Sequence, residues 1–203
     1  MSRLEIYGAP ATRTHRVAWM ANELGLDYRV VPTHYKDASN KTPEFLAINP
    51  NGRVPAIRDG EFCLFESLAI NLYLARKHGG ETAPGNLEEE GLAYQWSLWA
   101  ANEVEGHALA ALQHGSILAE AERDAEKAAA ATAALARPFA VLEQSLSGRP
   151  YLLGDRFTVA DLNVAAVAAW AKLAKMDLAA WPNLADWLRR CLARPACKAA
   201  NKI

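Results

Sequence analysis

Three short stretches of the chain carry groups whose type and placement suit chemistry. In the first, Tyr-Gly-Ala-Pro-Ala-Thr-Arg-Thr (residues 7–14), a strand-like run ends at Tyr7, a Gly/Pro turn follows, and an amphipathic helix is expected to start near Thr12. A hydroxyl there can cap the helix by accepting one of its free N–H groups. It can also be aimed at an anionic ligand, beside the positive end of the helix dipole. The second stretch is Val54-Pro55. Only about one X-Pro bond in twenty is cis, so on its own this reads as a trans proline at the edge of a strand. The third is Glu66-Ser67, where a strand hands over to a helix. Free N–H groups and the dipole would meet an incoming anion there, and the plain alternative is again a cap.

Other groups lack such company. The five histidines do not cluster with Cys, Asp or Glu at metal spacing, and His107 and His114 offer two ligands without a third, so no metal site is expected. Cys63, Cys191 and Cys197 are odd in number and contain no C-x-x-C pair, which fits small hydrophobes in a reducing, cytoplasmic compartment. A net charge of −1 and the lack of a Lys/Arg-rich run argue against nucleic acid as a partner. The longest apolar run, Val164 to Ala171, is far short of the roughly 18 residues that suggest a membrane span. The first residues enter a strand-like pattern directly, so no signal peptide is expected.

The elements that must position these groups fall into two textures. Residues 1–80 alternate strands and helices. Leu4–Tyr7 and Tyr28–Val31 read as strands around a helix marked by Val17, Met20, Ala21 and Leu24, with Gly25 at its C-terminal cap. A short helix near Pro43–Ala47 precedes the loop Ile-Asn-Pro-Asn-Gly. The runs Val-Pro-Ala-Ile-Arg-Asp and Phe-Cys-Leu-Phe follow, joined at Asp59-Gly60 as a hairpin. A helix from about Ser67 to Lys77 ends at Gly79-Gly80. The predicted order is β-α-β-α-β-β-α. The Gly/Pro-rich junction sets a linker at 81–86, and residues 87–203 carry only helical signals. There, Leu92, Trp96 and Trp99 mark one helix face, and Pro138 is expected to kink or restart another helix. Thr158 with Asp161 forms a capping-box pattern, with Phe157 and Leu162 placed as a hydrophobic staple. Pro182 and Pro195 bracket a last helix.

Two of these segments carry a family resemblance. The run Asn-Pro-Asn-Gly-Arg-Val-Pro-Ala-Ile-Arg-Asp-Gly through Phe-Glu-Ser to Lys-His-Gly (residues 49–79) resembles the thioredoxin-like half of the cytosolic glutathione transferases. Gly-Asp-Arg-Phe-Thr-Val-Ala-Asp-Leu-Asn-Val-Ala (154–165) resembles the capping segment of that family's helical domain. The resemblance implies a thioredoxin-like first domain that binds glutathione and an all-helical second domain. The second would supply the pocket for a small hydrophobic electrophile and part of a homodimer contact. It implies that Val54-Pro55 is cis, with Val54 offering its main chain to the cysteinyl unit of the peptide. It implies further that Glu66-Ser67 holds the γ-glutamyl end, the hydroxyl taking the carboxylate and Glu66 the ammonium. Arg53 and Lys41 are candidates for a glutathione carboxylate, or are surface charges.

By the same resemblance, Gly-Ala-Pro-Ala-Thr-Arg-Thr-His-Arg-Val lines up with the serine-containing turn of bacterial, theta-like members, and Thr12 falls on the serine. Threonine can donate the same bond to the sulfur, although its β-branch restricts χ1 and brings a methyl group close. Thr12 is therefore either the thiolate donor or a cap. Tyr7 is the competitor, because other members place a phenol near the end of the first strand. Thr14 and Arg13 are secondary candidates. Trp96, Trp99, Asn102, Glu103, Glu105 and His107 lie on the first helix of the second domain, where relatives place polar residues near the peptide. Two other activities share these motifs: a glutathione-dependent disulfide reductase or peroxidase, and a non-catalytic ligand-binding protein.

Overall fold

A computed structural model describes residues 3–203. The chain divides into two compact units: the residues through Pro84 together with Ala193–Ile203, and Gly85–Leu192.

In the first unit the alternating strand pattern produces a four-stranded sheet. The strands are β1 (Leu4–Gly8), β2 (Tyr28–Pro32), β3 (Ala56–Asp59) and β4 (Phe62–Phe65), in the order β2-β1-β3-β4. β2 runs parallel to β1 across helix α1 (Thr14–Glu23), and β3 and β4 are antiparallel neighbours. Helix α2 (Pro43–Leu46) lies between β2 and β3, and α3 (Ser67–His78) follows β4. The expected hairpin forms: Asp59 pairs with Phe62 across the loop Gly60-Glu61, with Gly60 at φ 66° as the first loop residue.

Side-chain alternation gives the sheet two different faces. Leu4, Ile6 and Gly8 point toward α1, whose Val17, Ala18, Trp19, Met20 and Ala21 are all buried. A Cβ at Gly8 would stand 1.9 Å from Thr14 Oγ1, so glycine lets the helix start come down onto the strand. The other face carries Tyr7 in a cluster with Phe45 and Ile48, together with Val54, Ala56, Cys63 and Phe65. The last helix, α10 (Pro195–Ala200), was not foreseen in the sequence. It packs on α1, where Asn22 Nδ2 donates to Ala196 O (3.2 Å) and Arg194 grips Glu23 with two N–H groups (2.6 and 2.8 Å).

The second unit is helical, and after Phe65 the described residues contain no further strand, only an isolated bridge between Tyr151 and Gly154. Helix α4 (Leu87–Trp99) is capped by Asn86, passes through a wider π turn at Ala100–Glu105 into α5 (Gly106–Leu112), and widens again at Gln113–Ile117. Its inward face is Ala93, Trp96, Ser97 and Ala100, and Leu92 is exposed. The expected face of Leu92, Trp96 and Trp99 is thus turned, because small residues allow a closer approach. Helix α8 (Val159–Leu173) comes near enough for Asn163 Nδ2 to donate to Ser97 Oγ at 2.9 Å.

Helices α6 (Ala125–Ala134) and α7 (Ala136–Ser145) break at Leu135, and Pro138 sits in the first turn of α7, where its missing N–H costs nothing. Thr158 and Asp161 form the capping box of α8. The buried Asp161 carboxylate also accepts from Leu152 N–H (2.8 Å) and from Trp187 Nε1–H (2.9 Å) on α9 (Pro182–Ala193). Among the described residues no helix is long and apolar enough to cross a membrane.

Candidate active site

The sheet topology brings the three sequence stretches to one edge. Tyr7 pairs with Ala56, and Ala56 with Phe65, in a single row across β1, β3 and β4. From that row β1 runs on into the Ala9–Thr14 turn, β3 is entered from Val54-Pro55, and β4 leads into Glu66-Ser67. β2 is parallel to β1 and ends at the same edge, so the following loop with Asn40 and Lys41 starts there too.

At the first stretch, Ala11 has φ 57°, a left-handed conformation that sharpens the turn, and α1 begins at Thr14 rather than Thr12. The Thr12 oxygen accepts from Thr14 N–H at 3.2 Å, which is a capping contact, and lies 2.7 Å from both Ala9 O and Thr14 Oγ1. Thr12 is half-buried, whereas Thr14 is fully buried.

Tyr7 is placed differently. Its ring packs on Phe45 at 6.0 Å, on the sheet face away from α1, and its phenol donates to Glu5 Oε2 at 2.7 Å. Glu5 also takes two N–H groups of Arg29, and the Arg58 guanidinium lies 5.9 Å from the Tyr7 ring centroid. Burial, reinforced by the carboxylate, pushes the phenol up to about 12. A thiol next to this phenol would compete with a carboxylate for its only proton.

At the second stretch the Val54–Pro55 peptide is cis. Ladder pairing with β1 starts at Ala56, so Val54 lies just outside it. Two buried asparagines hold the approach: Asn49 Nδ2 donates to Arg53 O (2.7 Å) and Asn40 Nδ2 to Gly52 O (2.6 Å). Gly52 has φ 59°, and a Cβ there would meet Lys41 Nζ at 2.6 Å, so the Lys41 ammonium lies beside the residue preceding Arg53. Both cations are exposed.

At the third stretch Glu66 has φ 72° and ψ 107°, an unfavourable conformation for a residue with a Cβ. Its side chain makes no cap bond, so the plain capping role for Glu66 is not the one adopted. Ser67 is the first residue of α3 and is buried. Arg16, almost fully buried on α1, donates from Nη1 to Ser67 Oγ at 3.4 Å. Arg16, Asn40 and Asn49 are the members of this edge that sequence reasoning missed. The one available signal for Arg16 was a charged residue on the apolar face of α1, one position before Val17.

In the second unit, Asn102, Glu103 and Glu105 lie in the π turn and His107 just after it. Asn102, Glu103 and His107 are exposed, and such turns recur at functional sites. Trp96 and Trp99 stack edge to face at 5.1 Å, and Trp96 is buried core. No group of three His, Cys, Asp or Glu among the described residues could hold a metal ion.

Comparison with known proteins adds a second line of observation. Residues 2–76 match the family model described as glutathione S-transferase, N-terminal domain, and residues 106–195 the one described as glutathione S-transferase, C-terminal domain. The chain is 36% identical over 214 residues to glutathione S-transferase 3 of Zea mays, covering 97% of this chain and 92% of that protein. It is 32% identical to the disulfide-bond oxidoreductase YfcG of Escherichia coli, covering 95% and 92%. Among solved structures it is similar to the theta class glutathione S-transferase of Xanthomonas axonopodis pv. citri with glutathione bound. That likeness has a TM-score of 0.90 and 30% identity, covering 100% of this chain and 99% of that one.

Proposed function

The chain belongs to the glutathione S-transferase family, and we propose that within it the Ala9–Thr14 turn stabilises the thiolate of bound glutathione through Thr12. The protein is a glutathione transferase, joining the glutathione sulfur to an electrophile. In the reaction the sulfur–carbon bond forms as the bond to the leaving group breaks, or as the electrophile takes up the electron pair. The proton lost by the thiol passes to solvent.

The observation that carries the assignment is the meeting of Thr12, cis Val54-Pro55 and the strained Glu66-Ser67 handover at one sheet edge. The main chain of Val54 would take the cysteinyl unit. Ser67 Oγ–H and the free N–H groups of α3 would take the γ-glutamyl carboxylate, and Glu66 the ammonium. Arg53 and Lys41 would take the glycyl carboxylate. A free thiol of this kind titrates near ~8.5, and lowering it by about two units needs roughly 2.7 kcal/mol. One hydroxyl bond to a charged sulfur, with the N-terminal end of α1 behind it, is of that order. Thr12 is preferred to Tyr7 because the phenol already donates its hydrogen bond to Glu5.

The same reading makes Thr12 the counterpart of the serine in theta-like members. It places the chain in the cytoplasm as a homodimer that accepts a small hydrophobic electrophile on its helical unit. Three cysteines without a disulfide accord with that compartment. An exposed apolar stripe on α4, Leu87, Tyr94 and Leu98, accords with a partner copy. The domain limits proposed are 1–80 for the glutathione-binding part and 87–203 for the helical part, joined by 81–86.

A second reading, glutathione-dependent disulfide reduction, is favoured by one fact, the likeness to the E. coli disulfide-bond oxidoreductase. A panel of aryl halide, disulfide and hydroperoxide substrates separates the two. Conjugation of the aryl halide is the result expected. Disulfide turnover with no conjugation would replace the transferase reading.

A further inference from the structure

Thr14 is wholly buried, and its hydroxyl closes a ring of hydrogen bonds with the Thr12 turn. Ala9 N–H lies 3.3 Å from Thr14 Oγ1, the two threonine oxygens are 2.7 Å apart, and Thr12 Oγ1 is 2.7 Å from Ala9 O. The proton positions follow by counting. A carbonyl can only accept, so the Thr12 proton is on Ala9 O. Each hydroxyl has one proton, so the contact between the two threonines uses that of Thr14. The ring therefore runs from Ala9 N–H to Thr14, from Thr14 to Thr12, and from Thr12 back to Ala9 O. A threonine at a helix start has no need of such a bond, and within a helix its hydroxyl ordinarily turns to a carbonyl one turn back. Here it points sideways onto its neighbour, in a space kept open by Gly8, where a Cβ would collide with it.

We propose that Thr14 is a positioning residue for the thiolate. It donates to the Thr12 oxygen and so makes Thr12 a stronger donor to sulfur than a lone hydroxyl. When glutathione binds, Thr12 releases Ala9 O and turns its proton to the sulfur, while Thr14 O–H and Thr14 N–H keep hold of the Thr12 oxygen. Hydrogen bonds in a chain polarise one another, and a bond to an ionised acceptor gains most from it. No proton moves along the pair: both hydroxyls keep their own, and the thiol proton goes to solvent. The inference rests on the assignment of Thr12 as thiolate donor.

The test is the thiol pKa of bound glutathione, followed by thiolate absorbance against pH in wild type, Thr14→Val, Thr14→Ser and Thr12→Val. Thr14→Val keeps the shape and removes the hydroxyl. It is expected to raise the bound thiol pKa by about 0.5–1 unit, roughly a 3- to 10-fold loss of thiolate on the acid side. Affinity for S-methylglutathione, which has no thiol to ionise, should stay within about twofold, and Thr14→Ser should restore the wild-type titration. If Thr14→Val does not fold, Thr14→Ala, which leaves room for a water on Ala9 N–H, takes its place. A wild-type titration in the Thr14 variant, with a raised pKa in Thr12→Val, overturns the role of Thr14 and leaves that of Thr12. Equal loss of glutathione and S-methylglutathione affinity at unchanged pKa reduces Thr14 to a structural cap. An unchanged pKa in both variants overturns the Thr12 assignment and the relay together.

Discussion

Arg16 on α1 reaches the hydroxyl of Ser67 at the start of α3, with Nη1 3.4 Å from Oγ. A guanidinium only donates, so the Ser67 oxygen accepts and its own proton is left for an anion. The same cation adds positive potential at the α3 N-terminus. Arg16→Gln is expected to weaken glutathione binding by about 10- to 100-fold, close to the net worth of one charged hydrogen bond. Calorimetry measures this. A glutathione analogue lacking the γ-glutamyl carboxylate should bind wild type and variant alike.

The phenol of Tyr7 donates to the Glu5 carboxylate, and the proposed thiolate donor is Thr12. Tyr7→Phe should leave kcat and kcat/KM within about twofold, while loss of the Glu5 contact lowers stability by about 0.5–1.5 kcal/mol. Steady-state kinetics and urea melts check the two parts separately. With the phenol pushed up to about 12, no tyrosine ionisation should appear in the activity profile near neutrality. A large fall in kcat would move the thiolate donor to this residue.

His15, on α1, lies half-buried against α10, with its ring 6.1 Å from that of Trp19. Burial above all, with the neighbouring Arg16 charge adding to it, holds its pKa below the usual 6.5, against hydrogen bonds that the ring donates to the Cys197 main chain and the Asn201 side chain, which oppose the shift. The unfolded chain therefore binds the proton more readily. The stability tied to neutral His15 is complete above 6.5 and is lost as pH falls through the folded value. Denaturant midpoints should fall between about pH 7 and pH 5, and His15→Gln should flatten that slope.

Much of this is legible in the amino-acid sequence, and the boundary has a physical cause. Strand alternation in Leu4–Tyr7, the glycine after α1 and the Thr158–Asp161 pair are local signals, and local structure follows them. The Leu92 face was misread because packing distance decides it, and that is not written in residue size alone. Helix α10 was invisible because Pro195 looked like the end of a helix, whereas it is the first residue of another. At the site, the cis peptide and the Glu66-Ser67 handover came from motif likeness. Arg16 and Asn40 are long-range partners, separated from their acceptors by 51 and 12 residues, and only the folded chain brings them together; Asn49 bonds a carbonyl just 4 residues on, inside a loop with no regular pattern to announce it.

The Thr12 hydroxyl caps the first turn of α1 and, as we propose, also donates to the bound thiolate, and the two uses need different atoms. As acceptor its oxygen holds Thr14 N–H, and as donor its proton rests on Ala9 O until a better acceptor arrives. The most direct measurement is the pH titration of thiolate absorbance for glutathione bound to wild type, Thr12→Ser and Thr12→Val. The expected result is a wild-type pKa well below ~8.5, kept in Thr12→Ser and returned toward ~8.5 in Thr12→Val. kcat/KM at neutral pH should then fall by about 10- to 100-fold, as for the loss of one bond to a charged group. A Thr12→Val protein whose bound thiol titrates like wild type would contradict the assignment.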